Sequence, residues 1–163
     1  WHAAHKLDVS PADADFRVRC IERVLASRPQ NESLCSLETD AQRMCYSVDT
    51  LQLLSHQNPE RELYFLVGGD SLSHLNTWHD LPRLFAACSF LLVPRPQWGE
   101  QQLADYTASL SPDLRTLFRA QFIDMPIVDI SSSFIRQQLA DGSDAIQMPE
   151  TVIDLITAEK VYR

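Results

Sequence analysis

The sequence predicts an α/β fold built on a mainly parallel sheet. Two runs, residues 62–67 and 89–93, are apolar after their first residue and have the length of strands, and glycines or prolines follow each of them. Unbroken apolar runs are typical of strands that lie buried in a parallel sheet. Segments with a helical spacing of apolar residues lie before, between and after these runs. Strands that alternate with helices along a chain favour crossover connections and parallel pairing.

The helices are predicted from their start and stop residues. Ser10-Pro11 has the form of a helix start, with a hydroxyl cap followed by proline, and Pro29 stops this first helix. A second helix is predicted over residues 47–56 and ends at Asn58-Pro59. Further helices are predicted over residues 81–87, 131–140 and 150–158, and a helical excursion over residues 97–120.

Two further strands have weaker support. Residues 33–38 alternate only in part between apolar and polar, and residues 122–130 are interrupted by Pro126, which indicates a bend or an edge strand. The 163 residues have the length of one domain, and they contain no internal repeat and no Gly/Ser linker. A single domain over residues 1–163 is therefore the simplest prediction.

Composition narrows the class of function. The formal net charge of −8 argues against a protein that binds duplex nucleic acid, because polyanion affinity comes mainly from clustered Lys and Arg. No apolar run approaches the ~20 residues that a membrane-spanning helix needs. The four cysteines are scattered without a C-x-x-C pair, which favours reduced thiols in a cytoplasmic protein over a zinc site or a disulfide framework.

One candidate binding segment, Gly68-Gly69-Asp70-Ser71, directly follows the strongest strand. Ligands of open α/β sheets bind beyond the carboxyl ends of the strands. Glycines let the backbone approach a ligand closely, and the Asp70 carboxylate could accept hydrogen bonds from ribose hydroxyls. The alternative is a tight turn in which Asp70 caps the next helix, and the four residues alone favour that alternative.

A second candidate segment is the run from Ile130 through Ser131, Ser132 and Ser133 to Arg136. The hydroxyls lie at a predicted strand-to-helix junction, where first-turn amides and the positive helix end attract an anion. Arg136 could add a forked donor for a phosphate. The alternative is an ordinary serine cap with an exposed arginine, and the two interpretations are about equally supported.

Other candidates are weaker when each is taken alone. Ser47 could be a plain helix cap, and Trp78-His79 could place an indole against a planar ring or could contain only a partly buried tryptophan. His5-Lys6 could contact phosphate or lie in solvent. No Ser–His–Asp arrangement and no metal-binding spacing of histidines is present.

In order along the chain, these segments resemble the bacterial nicotinate (nicotinamide) mononucleotide adenylyltransferase family. The resemblance covers nearly the whole chain. Gly-x-Asp-Ser with a downstream Trp is the part most specific to the pyridine-nucleotide branch, whereas the serine-rich motif with its arginine is shared across nucleotidyltransferases. The segments that carry the resemblance are His5-Lys6, Glu38 with residues 43–51, residues 64–72 with Trp78, residues 91–96, residues 130–136, and the tail from Met148-Pro149-Glu150 to residues 161–163.

The resemblance implies a Rossmann-like nucleotidyltransferase fold with helices on both faces of the sheet. It implies that ATP reacts with nicotinate mononucleotide, or with nicotinamide mononucleotide, with Mg²⁺ carried on the ATP phosphates. Homo-oligomerisation and the acid or amide preference stay open.

The resemblance also implies roles for individual residues. Asp70, beside Gly68 and Gly69, would bind the adenosine ribose, and Trp78 would stack on the pyridine ring. Ser47 and backbone amides near His79 would read the carboxylate or amide of that ring. The phosphates of ATP would be held by Ser131, Ser132, Ser133 and Arg136, with His5 and Lys6 at the mouth of the site.

The sequence departs from the family in minor and major ways. Gly69 stands where the family commonly has Ala, and Cys45 and Ser47 replace the usual Ser and Thr around Tyr46. The family begins with a strand, a Gly-x-Phe-x-Pro-x-His-x-Gly-His segment and a helix, which these 163 residues lack. We therefore expect that motif to be encoded upstream of Trp1. The alternatives are a relative that uses phosphopantetheine, an inactive nucleotide-binding homologue, and an α/β domain whose serines only cap helices.

Overall fold

The computed structural model describes residues 12–29, 31–40, 45–127, 129–143 and 147–162. These residues form two compact units. The central unit comprises residues 46–129. The terminal unit combines the described parts of residues 1–45 and 130–163. The prediction of a single domain stays a prediction.

A parallel sheet of three strands organises the central unit. The strands are β1 (Tyr64–Gly68), β2 (Ser89–Val93) and β3 (Ala120–Phe122), and they lie in the order β1-β2-β3. Both pairs are parallel, with Gly68 opposite Val93 and Leu92 opposite Phe122. Neighbouring strands are thus consecutive in the chain, and their carboxyl ends lie along one edge of the sheet.

Four helices accompany the sheet. They are α3 (Ser47–Gln57), α4 (Leu81–Ala87), α5 (Glu100–Ser109) and α6 (Pro112–Leu117). Their apolar residues and the inward residues of the strands share one core, in which Phe85 and Phe90 are fully buried. The Phe85 and Phe118 rings are 4.8 Å apart between centroids, so aromatic contacts fix helix α4 against the strand β3 entrance. This core holds the carboxyl edge of the sheet in place.

The terminal unit is helical. It contains α1 (Ala14–Leu25), α2 (Leu37–Asp40), α7 (Ser132–Ala140) and α8 (Glu150–Glu159). Its core joins Phe16 of α1 to Leu139 of α7 and Ile156 of α8. The Arg19 guanidinium lies 2.7 Å from the Glu159 carboxylate, at the exposed margin of the α1–α8 contact. Helix α7, which carries the serine-rich segment, is therefore supported by both α1 and α8.

Most predicted elements are confirmed. The α/β class, the parallel sheet, strand β2 and helices α3, α4, α7 and α8 lie where the sequence places them. The excursion at residues 97–120 consists of α5 and α6. None of the helices among the described residues has the length and apolar character that a bilayer crossing needs.

Several local predictions are wrong. Helix α1 begins at Ala14, and Asp13 is its cap because the Asp13 carboxylate accepts a hydrogen bond from the Asp15 amide. The predicted start at Ser10-Pro11 lies outside the described residues. Residues 33–38 form no strand and instead lead into α2. The third strand was predicted over residues 122–130, but β3 spans residues 120–122 and ends at Phe122. The reason is that residues 120–122 are the ones that pair with β2.

Strand β1 also differs from its prediction. The outward side chains of Tyr64 and Leu66 are 54% and 58% exposed, whereas Phe65 and Val67 pack against the core. The strand is thus buried on one face only. Its run of apolar residues cannot distinguish burial on one face from burial on both.

Candidate active site

The carboxyl edge of the sheet gathers polar and aromatic side chains from successive strand ends. Gly68 ends β1 and is followed by Gly69 and Asp70, and Arg95 and Trp98 follow β2. Phe122 ends β3. This edge is where ligands of open parallel sheets bind. We call these residues the carboxyl-edge site.

Asp70 lies in a 3-10 helix, Gly69–Ser73, that starts immediately after β1. Gly68 occupies the cap position of this helix, and no side chain supplies a cap hydrogen bond. The alternative in which Asp70 caps the next helix is therefore wrong. The Asp70 side chain is 60% exposed, so its carboxylate remains accessible to a ligand.

Arg95 lies beside Asp70. The Arg95 Nε atom is 3.9 Å from Asp70 Oδ1, which is an ion pair without a hydrogen bond. A Cβ atom at Gly68 would collide with Asp70 Oδ1 and would lie 3.4 Å from Arg95 Nε. Glycine at position 68 therefore leaves the space in which the two charged groups meet.

Gly69 is also tightly packed, here against the aromatic residues Phe122 and Trp98. A Cβ atom there would lie 2.8 Å from Cε1 of Phe122 and 3.2 Å from Cβ of Trp98. The aromatic residues after β2 and at the end of β3 thus press directly on the backbone of the Gly-Gly segment. The site has a polar side at Gly68 and an apolar side at Gly69.

Ser47, Trp78 and His79 come together through an aromatic stack. Ser47 is the first residue of α3, and its cap residue is Tyr46, which makes no side-chain cap bond, so the interpretation of Ser47 as the cap is wrong. The Tyr46 and His79 rings stack with centroids 4.1 Å apart and an interplanar angle of 26°. The start of α3 therefore lies beside the Trp78-His79 segment.

Trp78 itself is partly buried. Its ring contacts Phe65 of β1 edge-on, with centroids 5.8 Å apart, and it packs against the core of the central unit. The 3-10 turn before it, Leu75–Thr77, is fixed by a hydrogen bond of 3.0 Å that the Tyr106 hydroxyl donates to Asn76 Oδ1. Burial raises the pKa of Tyr106 to about 12, so this hydroxyl keeps its proton. The Trp78 indole is thus held by packing from two sides.

The serine-rich segment lies in the terminal unit, at the start of α7. The Ser131 hydroxyl accepts a hydrogen bond of 3.1 Å from the Phe134 amide, so Ser131 is an N-cap as the alternative interpretation expected. Ser132 and Ser133 are exposed, and Arg136 donates a hydrogen bond of 3.3 Å to the Ser133 hydroxyl. The helix start thus presents hydroxyls and a guanidinium on one side, which suits an anion.

The structure brings Gly68, Gly69 and Asp70 together at the carboxyl edge, and it brings Ser47 close to Trp78 and His79. Ser131, Ser132, Ser133 and Arg136 form a separate group within the terminal unit. His5 and Lys6 lie outside the described residues. Within the parts of the chain that the structure describes, no three His, Cys, Asp or Glu side chains cluster as metal ligands.

Sequence reasoning missed Arg95, Trp98 and the ring of Tyr46 as members of these groups. One signal for Arg95 was available. Asp70 follows the last residue of β1 by two positions, and Arg95 follows the last residue of β2 by two positions. Equal offsets from paired strand ends place two side chains next to each other.

The chain is similar in sequence to known proteins that share one description. No protein-family model matches the chain. A Bacillus pumilus protein described as a probable nicotinate-nucleotide adenylyltransferase is 31% identical over 159 residues, which cover 98% of this chain and 72% of the relative. A relative of the same description from Shewanella frigidimarina is 32% identical, and the match covers 90% of this chain and 75% of the relative. Another from Moorella thermoacetica is 30% identical, and the match covers 98% of this chain and 73% of the relative.

Solved structures share the fold. Plasmodium falciparum nicotinic acid mononucleotide adenylyltransferase complexed with APC matches with a TM-score of 0.67 at 19% identity, over 94% of this chain and 78% of that one. The same enzyme complexed with NaAD matches with a TM-score of 0.66. These likenesses confirm the predicted nucleotidyltransferase fold. Because bacterial relatives at 30% identity and above align with almost all of it, the chain belongs to the nicotinate-nucleotide adenylyltransferase family.

Proposed function

We propose that this protein transfers the adenylyl group of ATP to nicotinate mononucleotide and releases deamido-NAD and pyrophosphate. The observation that carries the proposal is the 31% identity to a nicotinate-nucleotide adenylyltransferase relative across 98% of the chain. The carboxyl-edge site supports it, since a parallel sheet with a Gly-Gly-Asp segment at a strand end is a setting for nucleotide binding.

The reaction needs no nucleophile from the protein. A phosphate oxygen of the mononucleotide attacks the α-phosphorus of ATP, a P–O bond forms, and the bond to the pyrophosphate leaving group breaks. The protein then contributes by positioning two anions and by stabilising the charge that develops on the phosphate oxygens. The substrate is the Mg²⁺ complex of ATP, in which the ion lies on the phosphates.

The start of α7 would hold the phosphates. The amides of its first turn and the hydroxyls of Ser132 and Ser133 provide donors, and Arg136 is hydrogen-bonded to Ser133 on the same side of the helix. Ser131 would contribute by capping the helix and so orienting these amides. His5 and Lys6 would approach the phosphates from the mouth of the site.

The region around Trp78 would bind the pyridine ring. Tyr46 and His79 already stack on each other, and Trp78 lies next to His79 in the chain, so flat aromatic faces are concentrated there. The Ser47 hydroxyl and the backbone amides near His79 would recognise the substituent of the pyridine ring. Asp70, which Gly68 and Gly69 leave exposed at the carboxyl edge, would accept hydrogen bonds from the adenosine ribose.

The direct test is a pyrophosphate-release assay on the protein expressed from its complete reading frame. The assay contains ATP and Mg²⁺ with nicotinate mononucleotide, nicotinamide mononucleotide or phosphopantetheine as the acceptor. Release with a pyridine mononucleotide alone supports the proposal. Release with phosphopantetheine would assign the protein to another branch, and ATP binding without turnover would make it a nucleotide-binding homologue.

A pair of variants tests the pyridine subsite. Because Trp78 also packs on Phe65, Trp78→Leu is preferable to alanine, as it removes the ring and keeps much of the volume. Trp78→Leu should weaken nicotinate mononucleotide binding about 5- to 150-fold, the equivalent of ~1–3 kcal/mol of stacking. ATP binding should change by less than about twofold, and Trp78→Phe, which keeps a ring, should lose less. Equal losses for both ligands would contradict this assignment.

A further inference from the structure

We propose that Arg95 is a positioning residue of the nucleotide site, which holds the Asp70 carboxylate in the orientation that receives the ribose. This inference rests on the proposed function for the identity of the ligand. Its geometric basis lies entirely within the central unit, and Arg95 acts on the ligand through Asp70.

Strand pairing places Asp70 and Arg95 near each other. Gly68 and Val93, the last residues of β1 and β2, are opposite each other in the parallel pairing. Asp70 and Arg95 each follow by two residues, so the sheet itself brings them side by side. Their Nε–Oδ1 distance is 3.9 Å, which is within the range of an ion pair. The contact therefore follows from strand register and does not depend on a flexible surface loop.

The charged groups of Asp70 and Arg95 occupy the space over Gly68. Both charged groups lie over Gly68, where any side chain would collide with the carboxylate of Asp70 and crowd the guanidinium of Arg95. The Arg95 side chain is 34% exposed and the Asp70 side chain 60% exposed. The guanidinium is thus the inner member of the pair and the carboxylate the outer member, which is the order expected if the arginine orients a ligand-binding carboxylate.

A hydrogen-bonded turn fixes the backbone of Arg95. Arg95 and Trp98 close a β-turn: the Trp98 amide donates to the Arg95 carbonyl at 2.9 Å, and the Arg95 amide donates to the Trp98 carbonyl at 3.4 Å. Pro96 occupies the second turn position, and Gln97 has a φ of 68°, as the third position of a type II turn requires. A non-glycine residue in this region has a conformational cost, and such conformations cluster at functional sites. The turn therefore fixes the point from which the guanidinium reaches Asp70.

The test is a double-mutant cycle on nucleotide binding. Dissociation constants for the Mg²⁺ complex of a non-hydrolysable ATP analogue are measured for the wild type, Arg95→Gln, Asp70→Asn and the double variant. Arg95→Gln should weaken binding about 3- to 5-fold, the equivalent of ~0.6–1 kcal/mol for a partly exposed ion pair. The double variant should bind about as weakly as Asp70→Asn alone, because removing Arg95 has no effect once its target is gone. Arg95→Lys, which keeps the charge, should recover part of the loss.

Arg119→Gln is the matched control. Arg119 lies just before β3, at the opposite edge of the same sheet, and its Nε atom donates to the Ser89 hydroxyl at 3.0 Å. Its replacement removes one arginine and one sheet-edge contact but should leave nucleotide affinity within about twofold of the wild type. Wild-type affinity in Arg95→Gln, or losses that multiply in the double variant, would overturn the inference.

A measurement without ligand separates this inference from the proposed function. The ¹³Cγ resonance of Asp70 should move in Arg95→Gln and stay in place in Arg119→Gln, because Arg95 is paired with the Asp70 carboxylate whereas Arg119 is hydrogen-bonded to Ser89. If the wild type binds no adenine nucleotide, the proposed function fails, and the resonance still reports whether Arg95 orients Asp70. An Asp70 resonance that is unchanged in Arg95→Gln would refute the positioning role by itself.

Discussion

Replacement of Gly69 by alanine tests the tight packing of the carboxyl edge. The added methyl carbon would lie 2.8 Å and 3.1 Å from two ring atoms of Phe122 and 3.2 Å from the Trp98 Cβ. Carbon atoms in favourable contact are ~3.5–4.0 Å apart. The methyl group therefore enters space that is already filled on two sides, and the Phe122 ring or the Gly-Gly backbone has to move.

The size of the effect follows from two opposing terms. Overpacking of this kind costs ~1–3 kcal/mol. Alanine restricts the unfolded chain more than glycine does, which returns ~0.4–1 kcal/mol. We expect Gly69→Ala to lower the free energy of unfolding by about 1–2 kcal/mol.

The assay is urea unfolding followed by tryptophan fluorescence. Trp78 and Trp98 both belong to the central unit, so their emission reports on the unit that is changed. Adding Phe122→Leu to Gly69→Ala should restore part of the loss, because it removes the ring atoms that the methyl group meets. Gly99→Ala is the control, since a Cβ atom there meets nothing closer than 4.0 Å, and we expect a change within ~0.5 kcal/mol. A Gly69→Ala variant as stable as the wild type would show that this packing argument is wrong.

Two further predictions concern buried ionisable groups. Burial raises the pKa of Tyr106 from 10.0 to about 12, so the folded chain retains a proton that the unfolded chain loses; stability should be full below pH 10 and fall by roughly 2–3 kcal/mol up to pH 12. Tyr106→Phe should flatten this fall in urea titrations across that range, and an identical pH profile would contradict the assignment. Burial also raises the pKa of Cys88 to about 11, whereas Cys35 is exposed. At pH 8 iodoacetamide should therefore label Cys35 in the native protein and spare Cys88, as peptide mass spectrometry would reveal; equal labelling would refute the burial of Cys88.

The parts of the fold that the sequence predicts well are those with local causes. Strand β2 is a complete apolar run that ends at a proline, and α4 has an aspartate cap, Asp80, whose carboxylate accepts from the Arg83 amide. Such features act within a few residues, so they can be read without knowing the tertiary contacts. The predicted bounds of β2 and α4 agree with the structure for that reason.

The errors arise where pairing decides the structure. Ala120 and Gln121 carry no apolar run, and they become a strand because they pair with Phe90 and Leu91 of β2. Residues 33–38 also alternate in part between apolar and polar, and they form no strand. Strand propensity depends on neighbours in the sheet, which a single sequence does not display.

The same difference between local causes and tertiary contacts applies to the candidate site. The glycines and Asp70 were found because their residue types and their place after a strand are local facts. Arg95 required knowledge of which strand lies next to β1 and in what register, and this is a property of the whole central unit. The Tyr46–His79 stack likewise joins residues from different elements.

The division of the chain into a continuous central unit and a discontinuous terminal unit bears on the order of folding. The central unit is one continuous stretch, residues 46–129, and each strand pairs with its successor, so the sheet can assemble as soon as that stretch has been synthesised. Helix α1 must wait for α8, because the core that joins them closes a loop of more than a hundred residues. During synthesis α1 therefore lacks its partner until α8 has left the ribosome, and its apolar face is the surface that a chaperone would shield in that interval.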